Sequence, residues 1–172
     1  MTNAKKKSGS KTEVLPGVTI YTDGGCLNNP GPGGYGVVLL YNDHRKELSG
    51  GFRHTTNNRM EILAAIKGLQ ALKSRCRVTI YSDSQYLVNA IEKGWALRWK
   101  SNGWRRNRKE KAINPDLWEQ LLDLCSRHEV HFQWIRGHVG TEENERTDRL
   151  AKEAASGSDH EVDEVYERTI QA

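Results

Sequence analysis

The sequence predicts an α/β fold in which a five-stranded mixed sheet is flanked by helices. Three observations carry that reading. One hexapeptide is written twice, as Val18-Thr19-Ile20-Tyr21-Thr22-Asp23 and Val78-Thr79-Ile80-Tyr81-Ser82-Asp83. Its β-branched and aromatic residues make each copy a buried strand, and each copy stops at an aspartate. Short, turn-rich connections after the first copy imply an antiparallel meander of three strands. A helical stretch then forms a crossover, which sets the second copy parallel to the first. Ligands collect at the C-terminal strand ends of open α/β sheets, and neighbouring strands stand about 4.8 Å apart. Two carboxylates that close repel unless a cation sits between them, so a divalent metal is expected. A single aspartate after a strand often only starts a turn. Two matched copies favour a shared site.

Composition narrows the class. With 172 residues and 36% hydrophobic content, the chain suits one compact domain with short tails. No apolar run approaches a membrane span, so no membrane partner is expected, and Met1 to Lys11 lacks the hydrophobic core of a secretory signal. Cys26, Cys76 and Cys125 are scattered without CxxC spacing. That pattern fits a reducing compartment and argues against a disulfide framework or a zinc site. A cytoplasmic monomer is the expectation. The net charge of +4 hints only weakly at an anionic partner.

Residues 1–16 carry Lys5, Lys6, Lys7 and Lys11 among small polar residues, and are expected to form a basic, disordered arm. Such an arm either attracts nucleic acid non-specifically or simply aids solubility. After Asp23 comes a turn-rich loop from Gly24 to Gly34. It is not a P-loop, because no Gly-Lys-Ser/Thr follows, and not a dinucleotide fingerprint, because no helix opens from it. Tyr35 to Tyr41 reads as the second strand and Lys46 to Arg53 as the third. Thr55-Thr56-Asn57-Asn58 offers capping side chains to a helix from Met60 to Leu72. Ile62, Ala65, Ile66, Leu69 and Leu72 form its apolar face. Glu61 borders that face, where a carboxylate merely packed against a sheet costs free energy. Taken alone, it reads as an exposed first-turn glutamate favoured by the helix dipole.

Ser84 to Val88 begins another helix, which gives way at Gly94. Residues 95–111 then change character. Trp95, Trp99 and Trp104 alternate with Arg98, Lys100, Arg105, Arg106, Arg108, Lys109 and Lys111 against the single acid Glu110. Tryptophans anchoring a solvated basic helix would be the plain explanation. Seven bases against one acid, interleaved with aromatics, go further, to the footprint of a surface for phosphate backbones, with Trp95, Trp99, Trp104, Arg105 and Arg106 expected to bind the substrate. Asn114-Pro115-Asp116 starts a helix, with Asn114 as cap and proline in the first turn. Leu117, Leu121, Leu122, Leu124 and Cys125 can face the core. Glu129 to Ile135 is the fifth strand, and it runs into a glycine-flanked loop with His138 at its tip. The last helix opens at Thr141-Glu142-Glu143 and ends near Ala155. Its small, inward stripe of Asn144, Ala151 and Ala155 includes Asp148, an acid that again needs a cation or a donor. Residues 156–172 form an acidic tail that either frays or docks Val162, Val165 and Tyr166 as a short helix.

Four acids, Asp23, Glu61, Asp83 and Asp148, therefore come from different elements that the sheet can bring to one edge. Oxygen ligands suit Mg²⁺ or Mn²⁺ rather than zinc. A carboxylate cluster beside a phosphate-binding surface points to two-metal phosphodiester chemistry.

Four motifs in register resemble one family closely. Tyr21-Thr22-Asp23-Gly24, Thr56-Asn57-Asn58-Arg59-Met60-Glu61, Tyr81-Ser82-Asp83-Ser84-Gln85-Tyr86, and Gly137-His138 followed by Asn144-Glu145-Arg146-Thr147-Asp148 are similar to the active-site motifs of type 1 ribonuclease H. The resemblance spans roughly residues 17–155, with a basic protrusion at about 95–112 like that of the bacterial branch. It implies a ribonuclease H-like sheet in the order 3-2-1-4-5. It also implies cleavage of the RNA strand of RNA–DNA hybrids with two Mg²⁺ ions, leaving 5′-phosphate and 3′-hydroxyl ends, with Mn²⁺ as a possible substitute. By that resemblance Asp23 bridges both metals, Glu61 and Asp83 bind one, Asp148 binds the other, and His138 assists proton transfer or product release. Cys26, Asn29, Asn57, Asn58 and Gln85 fall where the family contacts the hybrid's minor groove, and Thr56 and Asn114 where it holds a DNA phosphate. The family often carries arginine where this chain has His54, with Arg53 adjacent, so the DNA-phosphate grip departs from the pattern. A carboxylate-cluster exonuclease would show Asp-x-Glu in the first motif, whereas Gly24-Gly25 follows Asp23. A catalytically silent hybrid-binding module would not need all four acids.

Overall fold

The computed structural model describes residues 14–137 and 141–171. Strands β1 (Gly17–Cys26), β2 (Gly31–Tyr41) and β3 (His44–Thr55) form the meander, and helix α1 (Asn57–Gln70) crosses to β4 (Arg77–Ser82). Helices α2 (Gln85–Glu92), α3 (Trp95–Ser101) and α4 (Pro115–Arg127) lead to β5 (Glu129–Trp134). Then follow α5 (Glu142–Ser156), β6 (His160–Glu161) and α6 (Glu164–Gln171). The sheet order is β5-β4-β1-β2-β3-β6, so the expected five-strand order is present and a short sixth strand is added beside β3.

The duplicated hexapeptides pair with each other in register. β1 and β4 run parallel with Val18 opposite Val78, Ile20 opposite Ile80 and Tyr21 opposite Tyr81. The two tyrosine rings stack with centroids 5.0 Å apart. Ile20 and Ile80 are fully buried, as a central strand covered on both faces requires.

Helices cover opposite faces of the sheet. Gly68 of α1 lies against Ile20 and Val37, so α1 packs on the face those residues share. On the other face α5 lies directly on β2 and β3. A Cβ on Gly34, Gly36 or Gly51 would overlap backbone carbonyls of α5, so this glycine track sets how closely the helix approaches. Gly36 is the cross-strand partner of Asp23, and the close approach therefore brings α5 alongside the first aspartate.

Thr56 caps α1 by accepting a hydrogen bond from the Arg59 N–H at 3.2 Å, and Ser84 caps α2 by accepting from Leu87 at 3.1 Å. Asn114 does not cap α4 with its side chain, contrary to the expectation from sequence. Its backbone is left-handed (φ 62°, ψ 41°), and its Oδ1 accepts from Arg59 Nη1 at 3.2 Å. A competing, better donor has taken the side chain. On α4 the core residues are Leu117, Leu121, Leu124 and, fully buried, Trp118, while Leu122 and Cys125 are only partly covered. Trp118 meets Tyr86 and Trp99 edge-on, at 5.5 and 6.0 Å.

The C-terminal segment docks. Arg59 on α1 is 4% exposed and donates to Asp163 at 2.7 and 3.0 Å and to Asp116 at 2.8 and 3.0 Å. Thr55 adds a bond to Asp163 at 2.7 Å. Buried arginine needs such pairing, since an isolated charge in the interior is costly.

Candidate active site

The acids arrive from separate elements. Asp23 lies on β1 beyond the last residue paired with β4, Asp83 follows the end of β4, and Glu61 sits one turn into α1. Contact between β1 and the start of α1 is close: a Cβ on Gly24 would overlap the Met60 carbonyl, so only glycine admits this packing. As a result Asp23, Glu61 and Asp83 each offer a carboxylate oxygen within 4.8 Å of the others. Asp148 of α5 lines the same recess beside Asp23 and pairs with Lys152 at 2.9 Å.

Electrostatics identify what the cluster lacks. Burial, then the charges of Asp83 and Asp148, push the Asp23 carboxyl up from 3.8 to about 7. Burial and the charges of Asp23 and Asp83 push Glu61 well above its ordinary value. Glu61 is 9% exposed, and its Oε2 has no hydrogen-bond partner among the described residues. That orphaned oxygen, in an all-oxygen donor set, fits a hard divalent cation. The bland view of Glu61 as an exposed first-turn residue is therefore set aside by its burial.

Asp83 is fixed from both sides. The Trp134 indole N–H donates to its carbonyl at 3.1 Å, and Gly137 packs close enough that an added Cβ would sit 3.0 Å from its Oδ2. Neither contact was anticipated. Trp134 ends the alternation Val130, Phe132, Trp134 along β5, and it is 40% exposed at the sheet's active end.

Along the groove from the acids lie Cys26, Asn57, Asn58 and Ser84. Asn57 is locked in place, its Oδ1 accepting from the Cys26 N–H at 2.7 Å and its own N–H donating to Asn29 Oδ1 at 3.1 Å. Asn58 is exposed at the lip, and Gln85 is exposed at the first position of α2. Beyond Asn58 a second groove holds Asn29, Thr56 and Asn114. The structure thus brings Cys26, Asn57 and Asn58 to one depression and Asn29, Thr56 and Asn114 to the one adjoining it, while Gln85 lines neither.

The basic segment divides by residue type. Trp95, Trp99 and Trp104 are partly buried and packed against the core, so they anchor the segment. Arg105, Arg106, Arg108 and Lys109 are exposed, with Arg105 Nη2 held by the Arg108 carbonyl at 2.8 Å. His138 lies outside the described residues.

Comparisons with known proteins follow the same lines. A model of the RNase H family matches residues 16–156. Ribonuclease H from Syntrophus aciditrophicus is 73% identical over 149 residues, covering 87% of this chain and 86% of that protein. Ribonuclease HI from Synechocystis sp. is 58% identical over 150 residues, covering 87% of this chain and 94% of that protein. Among solved structures, LC9-RNase H1, a type 1 RNase H with the type 2 active-site motif, superposes with a TM-score of 0.75 at 32% identity, covering 93% of this chain and 83% of the other. LC11-RNase H1, solved in complex with an RNA/DNA hybrid, gives a TM-score of 0.62 at 25% identity, covering 80% and 96%.

Proposed function

The chain belongs to the type 1 ribonuclease H family of nucleases, and from that premise we propose that it cleaves the RNA strand of RNA–DNA hybrids endonucleolytically, leaving 5′-phosphate and 3′-hydroxyl ends. The observation that carries the reading is the trio Asp23, Glu61 and Asp83 with oxygens within 4.8 Å and one buried oxygen unpartnered. When bound, Mg²⁺ (two ions with substrate, Mn²⁺ as substitute) supplies water activation and charge stabilisation at the leaving oxygen. Asp23 is central to the ligand set, with Glu61 and Asp83 on one side of it and Asp148 on the other. Asp148 holds Lys152 through Oδ2 at 2.9 Å, and a carboxylate's second oxygen can serve a cation alongside such a pair.

Substrate recognition divides between two surfaces in this reading. Cys26, Asn29, Asn57, Asn58 and Gln85 address the minor groove, where shape and the 2′-hydroxyl distinguish RNA from DNA. Thr56 and Asn114 receive a phosphate of the uncut strand. The exposed cations of the basic segment, Arg105 and Arg106 among them, add backbone attraction, while Trp95, Trp99 and Trp104 hold that segment on the core. We assign His138 to proton transfer or product release, a role suited to a side chain that titrates near neutral pH. The reading includes a cytoplasmic monomer, supported as to compartment by the free thiols of Cys26, Cys76 and Cys125. Among the described residues no helix is long and apolar enough to cross a membrane.

A cleavage assay with Mg²⁺ on labelled hybrid, duplex DNA and duplex RNA tests the proposal. Internal cuts in the RNA of the hybrid alone are expected. End-first degradation would instead indicate an exonuclease, and binding without cutting a silent module.

A further inference from the structure

Two grooves meet at Asn58. The first holds the acids, and the second is lined by Thr56, Asn114 and Ile113 together with Val165, Tyr166 and Thr169 of α6. Its inner surface is arranged to donate hydrogen bonds. Thr56 Oγ1 already accepts from the Arg59 N–H, and Asn114 Oδ1 from Arg59 Nη1, both at 3.2 Å. The Thr56 hydroxyl proton and the Asn114 amide hydrogens are left to meet an anion.

Helix α6 lies past residue 156, where the family match ends, yet it is held firmly against this groove. Arg53 grips Glu167 through two bonds, at 2.8 and 2.7 Å, which also neutralises that acid. The His54 ring stands 5.4 Å from that of Tyr166. Asp163, just before the helix, takes bonds from Arg59 and Thr55 and accepts from the Tyr166 N–H at 3.3 Å. His54 and Arg53, the pair that departs from the family pattern, are thus both engaged by α6.

We propose that α6 is the outer wall of a subsite for the DNA strand of the hybrid, in which the Tyr166 hydroxyl hydrogen-bonds the sugar–phosphate backbone, while the Thr169 hydroxyl donates its proton to the Tyr166 carbonyl at 2.6 Å. The inference rests on the hybrid-cleaving function. A duplex whose RNA lies against the acids presents its minor groove to the Asn57–Asn58 turn, and its other strand then falls in the second groove. The apolar rim favours DNA there. Ile113 is 66% exposed and Val165 37% exposed. Deoxyribose carbons pack against such side chains, whereas a ribose 2′-hydroxyl would lose hydration without a partner.

The test uses the full chain carrying Tyr166→Phe, which keeps the ring and removes the hydroxyl. Steady-state rates are measured with Mg²⁺ on a hybrid, then on a series with one methylphosphonate walked along the DNA strand. The expected result is a KM raised about tenfold, as loss of a hydrogen bond to a charged group implies, with kcat changed far less and the melting midpoint unmoved. One methylphosphonate position should weaken the wild type, and the same position should cost the variant much less. An unchanged KM, or a loss equal at every position, overturns the subsite. If the wild type cuts no hybrid, the function itself fails first, and the two failures are told apart on the unmodified substrate.

Discussion

Asp23 shares with Glu61 and Asp83 a space too poorly hydrated to hold three charges. Asp23→Asn should lower cleavage by more than about a hundredfold while hybrid binding persists, because a lost metal ligand costs several kcal/mol of transition-state stabilisation. Activity within a factor of ten of wild type would remove Asp23 from the metal site. The raised value of about 7 gives a second expectation. In metal-free protein the folded state holds a proton on this site that the unfolded chain releases near 3.8. The associated stability is therefore full below 3.8 and is lost as pH rises through about 7. Metal-free Asp23→Asn should thus melt higher than wild type at pH values above 7, and the two should converge in acid. Convergence at all pH values would mean the cluster carries no repulsion. For His138, alanine should lower turnover by about tenfold to a hundredfold, with hybrid affinity little changed. Single-turnover rates would show whether chemistry or release is slowed.

At the scale of elements, the basic segment and the C-terminal pair β6–α6 behave as attached modules. Replacing Arg105, Arg106, Arg108 and Lys109 with alanine should raise KM and reduce the salt slope by about 0.9 per lost phosphate contact. An unaltered slope would make them a solvated surface. The tail is fastened through Arg59, whose loss leaves the Asp116 and Asp163 carboxylates without their cation. Arg59→Ala should cost about 3–5 kcal/mol in chemical denaturation. Burial raises the Asp163 carboxyl, but hydrogen bonds from Arg59 and Thr55 outweigh it and hold the group below 3.8. Its stabilisation is complete above 3.8 and fades as pH falls through the lower folded value. Wild type should therefore lose stability more steeply than Asp163→Asn as pH falls from 3.8 through that lower value.

For the whole molecule, Trp118 joins the sheet's helical cover into one core. It is fully buried and touches Tyr86 of α2 and Trp99 of α3, so Trp118→Ala should cost about 3–5 kcal/mol and loosen the basic segment. Proteolysis within residues 95–112 would report that loosening, and unchanged cleavage would show that the segment is anchored elsewhere.

The sequence by itself determined the strand order's centre and the identity of the acids. Both follow from local, periodic signals: a repeated β-rich hexapeptide, an aspartate at each copy's end, a capped amphipathic helix with Glu61 at its start. Those signals survive in any fold that buries them. Tertiary structure alone decided which groups meet across long separations. Arg59 draws Asn114 out of its capping role, Gly34, Gly36 and Gly51 let α5 close on the sheet, and Asp163 folds an acidic tail back onto α1. The tryptophans of the basic segment turned inward for the same reason, since large apolar rings gain more from the core than from solvent. Each outcome is a contest between distant partners for one donor, one void or one charge, and only the assembled chain settles it.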